Sequence, residues 1–289
     1  MNTTVFLGGG NITACILGGL LHANYGGRLV VHDRNAAKLT KLKQKFGVQI
    51  APDLAEAIAQ ADLLIVAVRP GNVADLLANI RALPAGDRTN KTLRKQKPSA
   101  SGKSPSLLAC SLAAGIPLGL LQAAAPTHFR WARAMPSPAC QSGDGLTALC
   151  YESKLPRAER GKVNRLFKAL GTVIEIPERQ FDAFTAAYSC THGYHALAVL
   201  AQAAQKAGLN RTTAELVAAH ALADGILAWR TANKSLDALL AEACTPGGIA
   251  SAVIETMNRH GYARIVEKGL QAGIARARQN AKAMLTRRQ

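Results

Sequence analysis

The chain opens on a short apolar run, Thr4-Val5-Phe6-Leu7, that stops at Gly8-Gly9-Gly10 and gives way to a helix-compatible stretch from Asn11 to His22. This predicts a strand, a tight turn and a helix. Arg28 to His32 predicts a second strand, residues 35–46 a helix with Ala36, Leu39 and Leu42 on one side, and Ala61 to Val68 a strand with an almost unbroken apolar run. Strands without polar alternation suit a sheet covered on both faces. Further strands are expected at Leu107 to Leu112, Leu146 to Tyr151 and Thr172 to Ile176, with a helix at 156–170. Strand and helix alternate, which is the pattern of a doubly wound α/β sheet. From Phe181 onward strand signals vanish, and Ala-rich helical segments follow at 181–208, 212–231, 235–243, 246–258 and 262–285. Two domains are therefore expected, α/β over 1–177 and all-helical over 178–289, both of ordinary domain size.

Composition agrees with packed domains, since 48% of the 289 residues are hydrophobic and only 18% charged. The charge balance, 35 Lys and Arg against 18 Asp and Glu, leaves +17, which taken whole would suggest a nucleic-acid or acidic-membrane partner. Its distribution removes that suggestion. Segment 81–106 carries +6 and segment 259–289 carries +7, so the other 232 residues hold only +4. Neither basic segment interleaves the aromatics of a base-stacking platform. Residues 84–106, rich in Pro, Gly, Ser and Lys without apolar periodicity, are expected to form a basic insertion loop. The six cysteines show no CxxC pair or framework spacing, and no apolar run approaches the roughly 18 residues that span a bilayer. A reduced, cytoplasmic protein without membrane or nucleic-acid partners is expected.

The glycine turn after the first strand carries the first chemical signal. Between a strand and a helix, Gly8-x-Gly10 lets backbone approach a pyrophosphate, which the helix N-terminus then stabilises. The third small residue is Thr13, or Ala14 one place later, so the fingerprint is imperfect. The second strand ends in Asp33-Arg34. An acid there accepts from the adenosine 2′-hydroxyl of NADH, whereas an Arg pairs with the 2′-phosphate of NADPH, so both coenzymes stay open. In the helical half, Thr245-Pro246-Gly247-Gly248 reads as an N-cap, a first helical residue and two free glycine amides, a place where a carboxylate can dock. His192 and His195 stand at i, i+3, but no carboxylate or Cys is spaced to complete a metal site, so no metal is expected.

Read in order, FLGGGN (6–11), ADLLIVAVRP (61–70), SLAAGI (111–116), RAMPSPA (133–139), GDGLTAL (143–149), DAFTA (182–186) and TPGG (245–248) make the chain resemble the pyrroline-5-carboxylate reductase family. The resemblance covers essentially everything but 84–106. It implies an N-terminal Rossmann-like domain, a C-terminal helical dimerisation domain, a homodimer or higher homo-oligomer, and NAD(P)H-dependent reduction of a small cyclic imine in proline biosynthesis. Carried over, Gly8, Gly10, Asn11 and Ile12 form the phosphate loop, and Asp33 and Arg34 discriminate between coenzymes. Val68, Arg69 and Pro70 line the cofactor cleft, Ala113 and Ala114 lie near the nicotinamide, and Ser137 replaces the family's Asn there. Thr245, Gly247 and Gly248 match the loop that binds the substrate carboxylate.

Departures from the family concern the substrate. Its Ser-Gly-Ser-Gly-Pro-Ala-Tyr reads Tyr188-Ser189-Cys190-Thr191-His192-Gly193-Tyr194 here, and Ile249-Ala250 replaces a hydroxyl pair. At least two expected carboxylate donors are thus missing, which bears on substrate choice. Thr245, Tyr194 and Thr191 are the expected catalytic residues, with His192 a further proton-handling candidate. The alternatives are reduction of another cyclic imine or keto acid, and a cofactor-binding homologue without catalysis.

Overall fold

The computed structural model describes residues 3–84 and 106–286. The expected loop at 84–106 lies, apart from its two end residues, outside the described residues. Eight strands form one sheet: β1 Thr3–Leu7, β2 Arg28–His32, β3 Gln49–Ile50, β4 Leu63–Val66, β5 Leu107–Ser111, β6 Phe129–Met135, β7 Gly145–Tyr151 and β8 Gly171–Glu175. Their order across the sheet is β3-β2-β1-β4-β5-β6-β7-β8. Neighbours run parallel except β6 and β7, whose antiparallel register sets Met135 opposite Ala148. The carboxyl ends of β1, β4, β5 and β6 therefore share one edge, and the order reverses between β1 and β4. That reversal opens a crevice at the strand ends.

Alternate strand residues point to opposite faces, and each face has its own core. Val5, Leu7, Val30, Leu64, Val66 and Trp131 pack on one side, and Phe6, Val31, Leu63, Ile65 and Cys110 on the other. This is why the strands read as apolar runs. Helices α1 Asn11–His22, α2 Ala36–Phe46, α3 Leu54–Ala59, α4 Val73–Ala82, α5 Leu118–Ala124, α6 Arg157–Lys168 and α7 Phe181–Ala187 accompany the sheet. Asn35 caps α2 by accepting from the Lys38 N–H at 3.1 Å, and Gly47, left-handed at φ +64°, ends it.

The sequence pattern does not announce β6, because Arg130 and Arg133 interrupt its apolar residues. Arg133 is nevertheless buried, with 2% exposure; its guanidinium donates to Glu178 Oε1 at 3.1 Å and lies 4.3 Å from the Phe181 ring centroid.

The second half contains α8 Cys190–Lys206, α9 Arg211–Thr231, α10 Leu236–Ala243, α11 Ile249–Arg259 and α12 Tyr262–Thr286. Two differences from expectation have local causes. The helix expected over 181–208 breaks at Tyr188-Ser189, where Ser189 is extended and its hydroxyl accepts from the Thr191 N–H to start α8. The helix expected from Pro246 begins at Ile249 instead. Pro246 and Gly247, the latter at φ +73°, form the middle of a turn closed by the Gly248 N–H to the Thr245 carbonyl at 2.9 Å. Proline followed by a positive-φ glycine is the chemistry of a type II turn. Gly248, not Thr245, is the N-cap.

The chain divides into two compact units, Met1–Tyr188 with Gly273–Gln289, and Ser189–Ala272. This differs from the expected boundary at 177/178. Phe181 and Met284 are both buried in the sheet's core, so α7 and the end of α12 pack with the first unit. There Gly115, at φ +75°, lets α12 approach so closely that a Cβ would collide with the Ala277 carbonyl.

Candidate active site

At the β1–β4 crevice the backbone itself builds the first part of the site. Gly8 has φ +114°, and a Cβ on it would stand 2.7 Å from the Ala67 carbonyl oxygen at the end of β4. Only glycine tolerates both conditions. The Thr13 hydroxyl donates to the Gly8 carbonyl at 2.6 Å. The imperfect third position of the fingerprint thus braces the loop from inside α1. Helix α1 starts at Asn11 with no side-chain cap, and its first backbone bond is the Ala14 N–H to Gly10. The amides of Asn11, Ile12 and Thr13 precede that ladder, an arrangement suited to anions.

Asp33, at the end of β2, ties this loop to α2. Its Oδ2 accepts from the Gly9 N–H at 2.7 Å and its Oδ1 from the Asn35 N–H at 2.8 Å. Burial alone would raise its pKa; together, these two N–H groups and the charges of Lys38 and His32 outweigh it and hold the carboxyl below the usual carboxylate range.

The cleft in front of the loop has a volume of about 980 Å³. Of the expected cofactor residues, Gly8, Gly10, Asn11, Ile12, Asp33, Arg34, Val68 and Arg69 line it, whereas Pro70, Ala113, Ala114 and Ser137 do not. Pro70 begins a short 3-10 turn after β4. Ala113 is buried, and the Ala114 carbonyl accepts from Asn280 Nδ2 at 3.2 Å. Ser137 follows β6 at the same sheet edge, with its hydroxyl 2.9 Å from the Tyr188 hydroxyl, which also accepts from the Leu146 N–H at 2.8 Å.

Lys38, Lys41 and Lys45, which no motif in the chain singles out, also line the cleft from α2. Their spacing, i, i+3 and i+7 on a helix, was the available signal. Tyr188 was seen only as a departure from the family. Its contact with Ser137 spans 51 residues, so no local pattern records it.

In the second unit, Thr191 and Tyr194 lie in the first turns of α8. The Thr191 hydroxyl is 2.7 Å from Ser189 Oγ, and Tyr194 is exposed. The Thr245–Gly248 turn corrects one element of the expected carboxylate site: the Gly248 N–H is spent on the turn. The first intrahelical bond of α11 is the Ala252 N–H to Gly248, so the amides ahead of the ladder belong to Ile249, Ala250 and Ser251.

Burial pushes the thiols of Cys140 and Cys150 up to about 12, so neither offers a thiolate nucleophile near neutral pH.

Comparison with known proteins finds a different family model in each half of the chain. Residues 178–280 match the family model described as pyrroline-5-carboxylate reductase dimerisation, and residues 3–90 that described as NADP oxidoreductase, coenzyme F420-dependent. A pyrroline-5-carboxylate reductase of Mycobacterium tuberculosis is 28% identical, covering 96% of this chain and 97% of its own. Among solved structures, the 1-pyrroline-5-carboxylate reductase of Streptococcus pyogenes superposes with TM-score 0.81 at 20% identity, over 96% of this chain and 98% of that one. The Plasmodium falciparum pyrroline carboxylate reductase, solved with NADP bound, superposes with TM-score 0.79 at 19% identity, over 97% and 98%. Curated relatives match from end to end and the dimerisation model matches the helical half, so the chain is similar to pyrroline-5-carboxylate reductases over nearly its whole length.

Proposed function

We propose that this chain reduces 1-pyrroline-5-carboxylate to L-proline with NAD(P)H, the closing step of a proline biosynthesis route. The observation that carries this reading is the end-to-end similarity to curated pyrroline-5-carboxylate reductases, joined in this chain to a glycine turn at the head of α1 that lines the β1–β4 cleft. The residues fit the coenzyme: Gly8 lets the loop turn closely against the end of β4, α1 presents amides with no side-chain cap, and Arg34 and Arg69 line the cleft. When bound, the coenzyme supplies the hydride that reduces the C=N bond.

The protein's own task is positioning and charge. The amides of Asn11 and Ile12 hold the pyrophosphate, and Ser137, fixed by Tyr188, orients groups at the carboxyl edge of β6. Thr245 and the amides of Gly247, Ile249 and Ala250 hold the substrate carboxylate. Gly248 serves that subsite by closing its turn. Thr191 and Tyr194 supply hydroxyls for proton handling at the imine nitrogen, which needs one proton as the amine forms.

The homodimer belongs to the same proposal. Within Ser189–Ala272, Leu216, Ile226, Leu227, Trp229 and Ile265 are exposed, more apolar surface than a solitary helical unit leaves to water, and a second copy would cover it. Cytoplasmic residence is part of the same proposal, and six free cysteines support it.

The test is initial-rate measurement of NADPH and NADH oxidation with 1-pyrroline-5-carboxylate, for wild type and Thr245→Ala, alongside light scattering for mass. Substrate-dependent oxidation is expected, with a raised KM in the variant. No rate with either coenzyme overturns the activity, and an unchanged KM removes Thr245 from the carboxylate site.

A further inference from the structure

We infer that Asn280, on α12, is a positioning residue for the coenzyme: it fixes the loop Ala113–Gly115 after β5, beside which the nicotinamide half of the coenzyme lies. The inference rests on the dinucleotide reading proposed above and deepens it.

A dinucleotide crosses the switch point of a doubly wound sheet, with its adenosine half at the end of β2 and its other half beyond the reversal. Here the cleft runs from Asp33 and Arg34 to Ala67, Val68 and Arg69 after β4. The next strand end along the same edge is that of β5, since Val66 pairs with Ser111. The loop after β5 therefore meets whatever part of the coenzyme extends past β4.

That loop is tied down locally at Ala113 and remotely at Ala114. The Ala113 N–H donates to the Ser111 hydroxyl at 3.2 Å, and the Ala113 carbonyl accepts from the Ile116 N–H at 3.5 Å. The Ala114 carbonyl reaches a side chain instead, accepting from Asn280 Nδ2 at 3.2 Å across 166 residues of sequence. Because a peptide unit is planar, a bond to that carbonyl sets the tilt of the whole Ala114–Gly115 link. It thereby sets the position of Ala114, which is half-buried between two buried neighbours.

The face of α12 that delivers this bond is otherwise built for packing. Gly273, Ala277, Asn280 and Met284 stand at i, i+4, i+7 and i+11, one stripe of the helix. Gly273 lies against Ala186, Ala277 against Gly115, and Met284 in the sheet's core. Asn280 is the one polar member of the stripe. An apolar side chain would serve packing there, whereas an amide costs desolvation unless it is bonded. Gly115, at φ +75° with the Ala277 backbone where its Cβ would stand, lets the helix come near enough for the bond.

Calorimetric titration tests this without turnover. The ligands are NADPH, NADH and ADP-ribose, which lacks the nicotinamide. The proteins are wild type, Asn280→Asp, which keeps the shape and removes the donor, and Asn280→Leu, which makes the stripe wholly apolar; circular dichroism checks the fold. Each variant should weaken NADPH and NADH by about fivefold, the worth of one neutral hydrogen bond, and leave ADP-ribose within about twofold of wild type. The fluorescence of the bound reduced nicotinamide should also move toward that of the free coenzyme. A merely structural loosening would weaken all three ligands alike. That result, or unchanged NADPH and NADH affinity in either variant, overturns the inference and leaves the dinucleotide reading intact. Failure of wild type to bind any of the three overturns both.

Discussion

Replacing Asp33 separates a brace from a ribose acceptor, and the structure sets the size of the effect. Asp33→Ala removes two charge-assisted bonds, of 2.7 Å to the buried Gly9 N–H and 2.8 Å to the exposed Asn35 N–H. Water can replace the partner at Asn35 but not at Gly9, so a buried donor is stranded at a cost of about 2–3 kcal/mol. Asp33→Asn can still turn its amide oxygen to Gly9, and should cost about 1 kcal/mol. Urea unfolding followed by Trp131 fluorescence measures this in a Trp229→Phe background, because Trp131 is fully buried in the first unit and Trp229 is exposed. The pH dependence has a definite sign. A carboxyl held below its usual 3.8 contributes stability above that value and loses it as pH falls through the folded value. The gap between wild type and Asp33→Asn should therefore be full at pH 7 and narrow below about pH 4. Because the loop is common to both coenzymes, NADPH and NADH should lose affinity by similar factors in Asp33→Ala. Equal urea midpoints for wild type and Asp33→Ala, a gap that widens in acid, or a loss confined to NADH would each refute the brace.

Three further substitutions probe the scaffold around the site. Gly115→Ala places a methyl group against the Ala277 backbone at a positive φ; a loss of about 3 kcal/mol or more is expected in thermal unfolding, and near-wild-type stability would show that α12 does not pack there. Glu178→Ala leaves the buried Arg133 guanidinium and the Leu118 N–H without their shared acceptor, which should cost about 3 kcal/mol in urea. A loss under 1 kcal/mol would mean that water reaches Arg133. Tyr188→Phe removes the bonds to Ser137 and Leu146 and should cost about 1–2 kcal/mol. If Ser137 acts through that contact, kcat with NADPH should fall as well, and unchanged kcat removes the pair from the proposed positioning role.

Much of this protein was written locally. Hydrophobic periodicity marked most of the sheet's strands, because a sheet covered on both faces needs apolar runs. The glycine turn, Asp33-Arg34 and the helical half were equally visible, and the ordered motifs carried the family resemblance. What the sequence could not show involves residues far apart in the chain. Strand β6 was hidden by Arg133, whose burial depends on Glu178, 45 residues away. That Asp33 also braces the phosphate loop depends on the fold setting Gly9, 24 residues earlier, against it. Thr245-Pro246-Gly247-Gly248 fits both a helix cap and a turn by composition, and the positive φ of Gly247 decided for the turn. The physical reason is common to all three. Periodicity and turn chemistry act over a few residues, whereas the partner that satisfies a buried charge or donor is chosen only when distant strands and helices close around it.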